Sequence, residues 1–195
     1  RLVWAAGYFV DEDYYRPQIR VQGMKRLSRG QQYVSDGGLV REARLERQGG
    51  GKELKNWSWY QNPFVGTREF NGLRVMMALI NNWDLKEINN EILDEGGEPR
   101  YEVADLGASL GSTGNPFGRS KDVIKDYAET KFIEKVTHGY VDFVMHSRPF
   151  ILTIFNFPNY RFRTRMESVA KHIPIADARW LGNRLGQFSP EQIRD

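Results

Sequence analysis

The segment "REFNGLRVMMALI", residues 68–80, constrains the fold more than any other stretch of the chain. Phe70, Leu73, Met77 and Ile80 recur at helical spacing and make one apolar face, with Met76 beside it. The flanking "VMM" and "ALI" widen that face beyond a narrow stripe, so the helix is expected to be mostly buried and its methionines to be core packing. Thr67 is placed to start it, and Asn81 lies near its end. A helix so enclosed needs other elements around it, and 195 residues suffice for one domain or two small lobes. No apolar run approaches the roughly 18 residues that span a bilayer.

Composition excludes several chemistries. Cysteine is absent, which removes disulfides and thiolate zinc sites. His138, His146 and His172 are widely spaced and lack a metal-binding pattern. The net charge of +3 is too small to indicate nucleic acid as a partner, although it favours anionic ligands slightly. "GGGKE" (49–53) reads as a hairpin tip; it lacks the earlier glycine of a P-loop, and no Ser or Thr follows Lys52. No G-x-S-x-G motif occurs, and nothing in their spacing selects Glu53, Glu69 and Glu102 as a hydrolase site. "RFRTR" (161–165) with Lys171 is a basic patch beside aromatics that could grip phosphate-rich partners but reads more readily as a solvated helix face, and Trp57, Trp59 and Trp180 read as core or lobe-interface residues.

The order of elements points to an α+β chain. Residues 1–9 read as the end of a helix packed by Leu2, Val3, Ala6 and Phe9, followed by the connection "DEDYYRP". Short β-type runs follow in "QIRVQ", "QQYVS" and "VREARLERQ", separated by "SRG" and "DGG" turns. Residues 56–66 are aromatic and turn-rich. After the buried helix, "EILDEGGEPR" and "YEVADLG" leave room for one short hairpin. Residues 108–120 have the composition of a mobile loop, with Lys121 and Lys125 near its edge. The remainder is expected to be largely helical, near 121–135, 160–172 and 175–187, with "RPFILTIFNFP" as a buried apolar link. The division expected is 1–66, β-rich, and 67–195, mainly helical.

Both ends read as open. "RLVWAAGYFV" begins inside an amphipathic pattern, and Ser189, Pro190 and Gln192 start a capped helix too short to be a finished element. The expectation is a chain that continues in both directions, so localisation stays undetermined.

The chemistry-bearing residues cluster after the buried helix. Asn82-Trp83-Asp84-Leu85-Lys86-Glu87-Ile88-Asn89 gives Asp, Leu and Asn at the spacing of D-L-x-x-x-N, with Lys86 two residues past the acid. Asp105-Leu106-Gly107 follows 21 residues after Asp84, at an expected strand end. Helix, polar loop, hairpin, D-x-G, flexible segment and helices is the order of a kinase C-terminal lobe. The chain resembles the protein-kinase-like superfamily, closest to its atypical bacterial branches such as HipA-like and CotH-like kinases, whose loop often reads N-x-D as Asn82 to Asp84 does. It also looks like a group of bacterial proteins carrying "NPFxGTRExNGLxVMMALxNNWDLK" and "SDLGAS" segments. The superfamily resemblance extends loosely over residues 1–145 and sharply over 82–89 and 105–107.

The resemblance implies a protein-kinase-like fragment: the remnant of a β-rich N-lobe, then a helical C-lobe. It implies ATP and Mg2+ as cofactors and transfer of phosphate to a hydroxyl on a protein or small molecule. Phosphoryl transfer rests on positioning and charge neutralisation. Asp105 and Asn89 would offer metal-binding oxygens, and Gly107 would permit the backbone turn after the ligand. Asp84 would accept or orient the proton of the attacking hydroxyl, Lys86 would screen the moving phosphoryl group, and Asn82 would hold the loop's shape. The glycine-rich lid and the lysine–glutamate pair of such a site would lie upstream of Arg1, since Lys52 and Lys55 come too late in the order; without them efficient catalysis is not expected. A non-catalytic pseudokinase-like binding module and a metal-dependent hydrolase using Asp84 and Asp105 are the alternatives. Residue by residue, Asp84 and Asn89 could instead cap a helix end and turn, Asp105 could form an Asx turn, and Lys86 could be merely solvated.

Overall fold

The computed structural model describes the chain except residues 29, 48–50, 113–118, 146–150 and 195, with the side chains of Ile151, Leu152 and Arg194 also left aside. Among the described residues it is a mixed α/β structure, with seven α-helices and three three-stranded antiparallel sheets. Packing groups residues 11–51 into one compact unit and residues 1–10 with 52–195 into another.

The smaller unit holds β1 (Asp13–Arg20), β2 (Val34–Ser35) and β3 (Leu39–Glu46), ordered β1-β3-β2. The expected connection "DEDYYRP" is therefore mostly strand. Pro17 obscured it, because proline cannot donate to a ladder; β1 is an edge strand, where that loss is tolerated.

The larger unit is built around the apolar helix. Helix α1 is Leu2–Ala5, and α2 is Arg68–Leu79. The Thr67 hydroxyl caps α2 by accepting from the Phe70 N–H at 3.2 Å, and eight of its twelve residues are buried. Val3 and Ala6 pack into the core at α1 as expected, but Leu2 and Phe9 are exposed. Strands β4 (Lys52–Asn56), β5 (Asn90–Glu95) and β6 (Glu98–Val103) form a meander. Lys52 and Glu53 thus open a strand paired with β5, while residues 49 and 50 of the expected hairpin tip lie outside the described residues. The β5–β6 loop is Gly96-Gly97, both at positive φ (69° and 94°), a geometry that the twist of a two-residue hairpin favours.

Beyond the polar segments lie α3 (Ile124–Glu129), β7 (Ile133–Thr137), β8 (Tyr140–Phe143), α4 (Ile151–Phe155), α5 (Phe157–Glu167), β9 (Ile173–Pro174), α6 (Ile175–Leu185) and α7 (Pro190–Arg194). A sheet ordered β7-β8-β9 replaces the second half of the helix expected at 121–135. Ile133, Val136 and Thr137 are β-branched, and Phe132 packs on Phe143 at 4.7 Å across the hairpin. The expected buried link at 148–158 is likewise corrected: residues 148–150 lie outside the described residues, and Ile154, Phe155 and Phe157 are 69%, 77% and 51% exposed. α4 packs mainly on α5. The capping box at Ser189 and Gln192 forms in both directions, at 2.9 and 3.2 Å.

α2 and α6 approach closely through Gly72. A Cβ there would stand 2.5 Å from the Tyr8 hydroxyl and 2.7 Å from the Trp180 ring. A polar tie runs alongside: Asn71 donates to Asp177 at 2.7 Å, while Arg74 donates to Asn71 and to the Val169 and Lys171 carbonyls. Burial lowers the Arg74 pKa, and three hydrogen-bond acceptors hold its guanidinium in place.

Gly72→Ala is expected to destabilise by about 1–3 kcal/mol through overpacking, despite alanine's higher helix propensity. Urea denaturation checks this; equal or greater stability would show that the α2–α6 contact can relax.

Candidate functional site

The polar loop after α2 is fixed from below by Leu85, buried in the core, and by Asn82, 1% exposed. The Asn82 N–H donates to the Met77 carbonyl at 2.9 Å, and its Oδ1 accepts from the Asp84 N–H at 2.9 Å. Asn82 therefore shapes the loop, as expected. Neither Asp84 nor Asn89 caps α2, whose last turn closes on Ile80.

Lys86 Nζ lies 2.7 and 2.8 Å from the two carboxylate oxygens of Asp84. Asp84 is 16% exposed and Lys86 44%, so the pair faces outward from a partly buried base. Asn89 Nδ2 donates to the Asp84 carbonyl at 3.0 Å. A carbonyl can only accept, so this bond fixes which end of the amide is which. Asn89 Oδ1 takes no hydrogen bond among the described residues. Glu87 braces the loop's far side, accepting from Ser58 at 2.6 Å and from Arg165 at 2.9 Å.

Asp105 and Gly107 follow β6 and run alongside this loop. The Ala104 N–H donates to the Asn89 carbonyl at 2.8 Å, the Trp83 N–H to the Ala108 carbonyl at 3.2 Å, and the Leu110 N–H to the Ile80 carbonyl at 2.7 Å. The two expected segments are thus joined at both ends, and Asp105 lies between these ties. Asp105 is exposed and has φ of 52°, a left-handed conformation uncommon outside glycine and costing of order 1 kcal/mol or more.

A cavity of about 480 Å³ opens beside Asp84 and Lys86. Trp83, Arg119, Phe162 and Arg163 also line it, whereas Asn89, Asp105 and Gly107 do not. Lys121 and Lys125 are exposed and do not line it either. A second cavity of about 510 Å³, lined by Tyr8, Phe64, Tyr101 and Trp180 among others, contains none of the expected site residues. Nothing in the sequence singles out Arg119, at the end of a turn-rich loop, and Arg163 belongs to the basic patch at 161–165, whose place beside Asp84 depends on α5.

Among the described residues no three His, Cys, Asp or Glu side chains are grouped as a metal site. The oxygen donors present are one acid and one amide, Asp105 and Asn89, on adjoining segments. No protein-family model matches the chain, and no curated protein or solved structure matches it either.

Asn82→Ala is expected to reduce stability by about 1–3 kcal/mol, since it strands the Asp84 N–H. Asn82→Ser keeps a side-chain oxygen that can form the same turn more weakly without burying a charge, and is expected to lose less. Chemical denaturation of the two variants tests the ranking, and equal losses would refute the role of Oδ1.

Proposed function

We propose that the protein is an ATP- and Mg2+-dependent phosphotransferase of the atypical protein-kinase-like type, acting on a hydroxyl group. The observation that carries the reading is the backbone pairing of the loop bearing Asp84 and Asn89 with the segment bearing Asp105, the Asn89 amide nitrogen being tied to the Asp84 carbonyl. An amide oxygen and a carboxylate are hard donors of the kind magnesium prefers, so Asn89 and Asp105 would be the residues to hold it. The strained backbone at Asp105 supports the same reading, because such conformations persist where surrounding structure enforces them and cluster at working sites. Bound magnesium would neutralise the phosphate charge.

The chain's own residues supply the rest. Asp84 lies at the mouth of the cavity and is oriented from both sides: its N–H by Asn82, its carbonyl by Asn89. Its carboxylate takes the proton of the acceptor hydroxyl as the new O–P bond forms and the bond from the γ-phosphorus to its bridging oxygen breaks, leaving ADP. Lys86 holds Asp84 before the acceptor arrives and offers its charge to the transferred group during the step.

Mg-ATP at about 100 times its Kd should add about 2.7 kcal/mol of stability, a rise in Tm of roughly 5–10 °C for a chain of this size. Asp105→Ala is expected to abolish that rise. Asp84→Asn is expected to retain it, since this carboxylate serves the acceptor hydroxyl and not the nucleotide. A melting curve indifferent to Mg-ATP in the unaltered protein sinks the proposal.

A further inference from the structure

The cavity beside Asp84 carries more positive charge than the site chemistry described above needs. Lys86, Arg119 and Arg163 face it with a single carboxylate, Asp84, leaving two charges in excess. Lys86 is already paired with that carboxylate. Among the described residues, neither guanidinium forms an ion pair with a carboxylate.

Both arginines are held in position rather than left trailing in solvent. The Arg119 guanidinium lies 3.9 Å from the centre of the Trp83 ring. Its chain neighbour Ser120 is pinned from three sides: its carbonyl accepts from the Trp83 indole at 3.0 Å, its hydroxyl accepts from the Ser112 N–H at 2.8 Å, and that hydroxyl donates to Asp126 at 2.5 Å. Arg163 lines the cavity from α5 with its Nε donating to Asn159 Oδ1 at 3.1 Å, and its two terminal nitrogens make no hydrogen bond among the described residues. Asn159 is itself fixed by the helix cap, its N–H donating to Asn156 Oδ1 at 3.2 Å. The Arg119 pKa is lowered, first by burial and then by repulsion from Arg163, with Asp84 acting in the opposite sense. Two like charges positioned together in a partly buried cleft destabilise the empty protein, and a bound anion relieves that repulsion.

We infer that this cleft binds the phosphate of a small hydroxylated phosphate monoester, with Arg119 and Arg163 gripping the phosphate while a hydroxyl of the same molecule reaches Asp84. A phosphate monoester carries between one and a half and two negative charges near neutrality, roughly the excess the cleft presents. Planar guanidinium forks match its oxygens in pairs, and point charges would not orient it as well. A volume of about 480 Å³ suits a small molecule, and the rings of Trp83 and Phe162 provide apolar walls for its carbon skeleton. The assignment of this molecule as the phosphoryl acceptor rests on the proposed phosphotransferase reading; the binding of the anion does not.

Calorimetric titration of the protein with glycerol 3-phosphate, at low salt and without nucleotide or magnesium, tests the anion site. Saturable binding is expected, weakened at least about tenfold in Arg119→Gln and in Arg163→Gln, with glycerol and acetate failing to bind. Arg119→Lys and Arg163→Lys keep the charge but not the fork and are expected to fall between. Near-ultraviolet circular dichroism identifies any variant whose packing is lost, and Arg163, on a half-exposed helix face, is the variant that decides in that event. Binding unaffected by the arginine changes would overturn the inference, as would binding of a phosphoserine peptide alone. Displacement of glycerol 3-phosphate by ATP would also overturn it, because the cations would then serve the nucleotide. Failure of Mg-ATP to stabilise the protein leaves this titration standing, so the two readings fall separately.

Discussion

The hydrogen bonds between residues 80–89 and 104–110 are the constraint on which the candidate site depends. Three backbone bonds, Ala104 to Asn89, Trp83 to Ala108 and Leu110 to Ile80, lash the loop after α2 to the segment after β6. Apart from the short 3-10 turn at Glu87–Asn89, neither segment is helix or strand, and the Ala104–Asn89 bond carries the β5–β6 ladder one step past its last pair, Asn90 with Val103. The ties begin at Ile80, at the end of the buried α2, and reach the start of β5. Position is therefore inherited from the core: Met76, Met77 and Ala78 are fully buried, and the polar loop leaves from them directly. The candidate side chains are polar and range from partly buried at Asp84 to exposed at Asp105, but their backbones are anchored to the most enclosed part of the molecule.

That anchoring explains why the site can hold conflicting charges. Asp84, Lys86, Arg119 and Arg163 converge on one cavity, and the partly buried arginines do not simply swing away from each other. Stacking on Trp83 holds one and the Asn159 amide holds the other. Around the rim, Glu87 accepts from both Ser58 and Arg165, which ties the 57–66 segment and the end of α5 to the same loop. Arg165 also lies over the Tyr60 ring at 4.4 Å, so this edge combines ion pairing with stacking. The polar contacts are mutually supporting, and a change at one is felt at several.

How much of this was legible in the sequence depends on whether burial leaves a period. α2 was legible because its apolar residues recur at helical spacing behind a threonine cap. The β5–β6 hairpin was legible from Gly96-Gly97, and α7 from Ser189 and Gln192, since these rely on local chemistry alone. β7 left no such trace: every residue from Ile133 to Thr137 is exposed, so no alternation of apolar and polar positions marks it. Its partner β8 does alternate, burying Val141 and Phe143, but four residues carry too short a pattern to outweigh the helical one preceding it. α4 was misplaced for the reverse reason. Its apolar residues mark burial in most proteins, yet Ile154 and Phe155 are exposed here.

The site divides along the same line. Asp84, Lys86 and Asn89 lie within one short loop, so their association could be read directly, and Asp105 could be joined to them because a single hairpin separates the two segments. Arg163 could not, because its place opposite Asp84 depends on how α5 folds back after a sheet the sequence did not disclose. Arg119 could not because what distinguishes it is the indole beneath it, 36 positions earlier in the chain. The residues that would carry chemistry are thus encoded locally, and those that would select a ligand are assembled from distant elements.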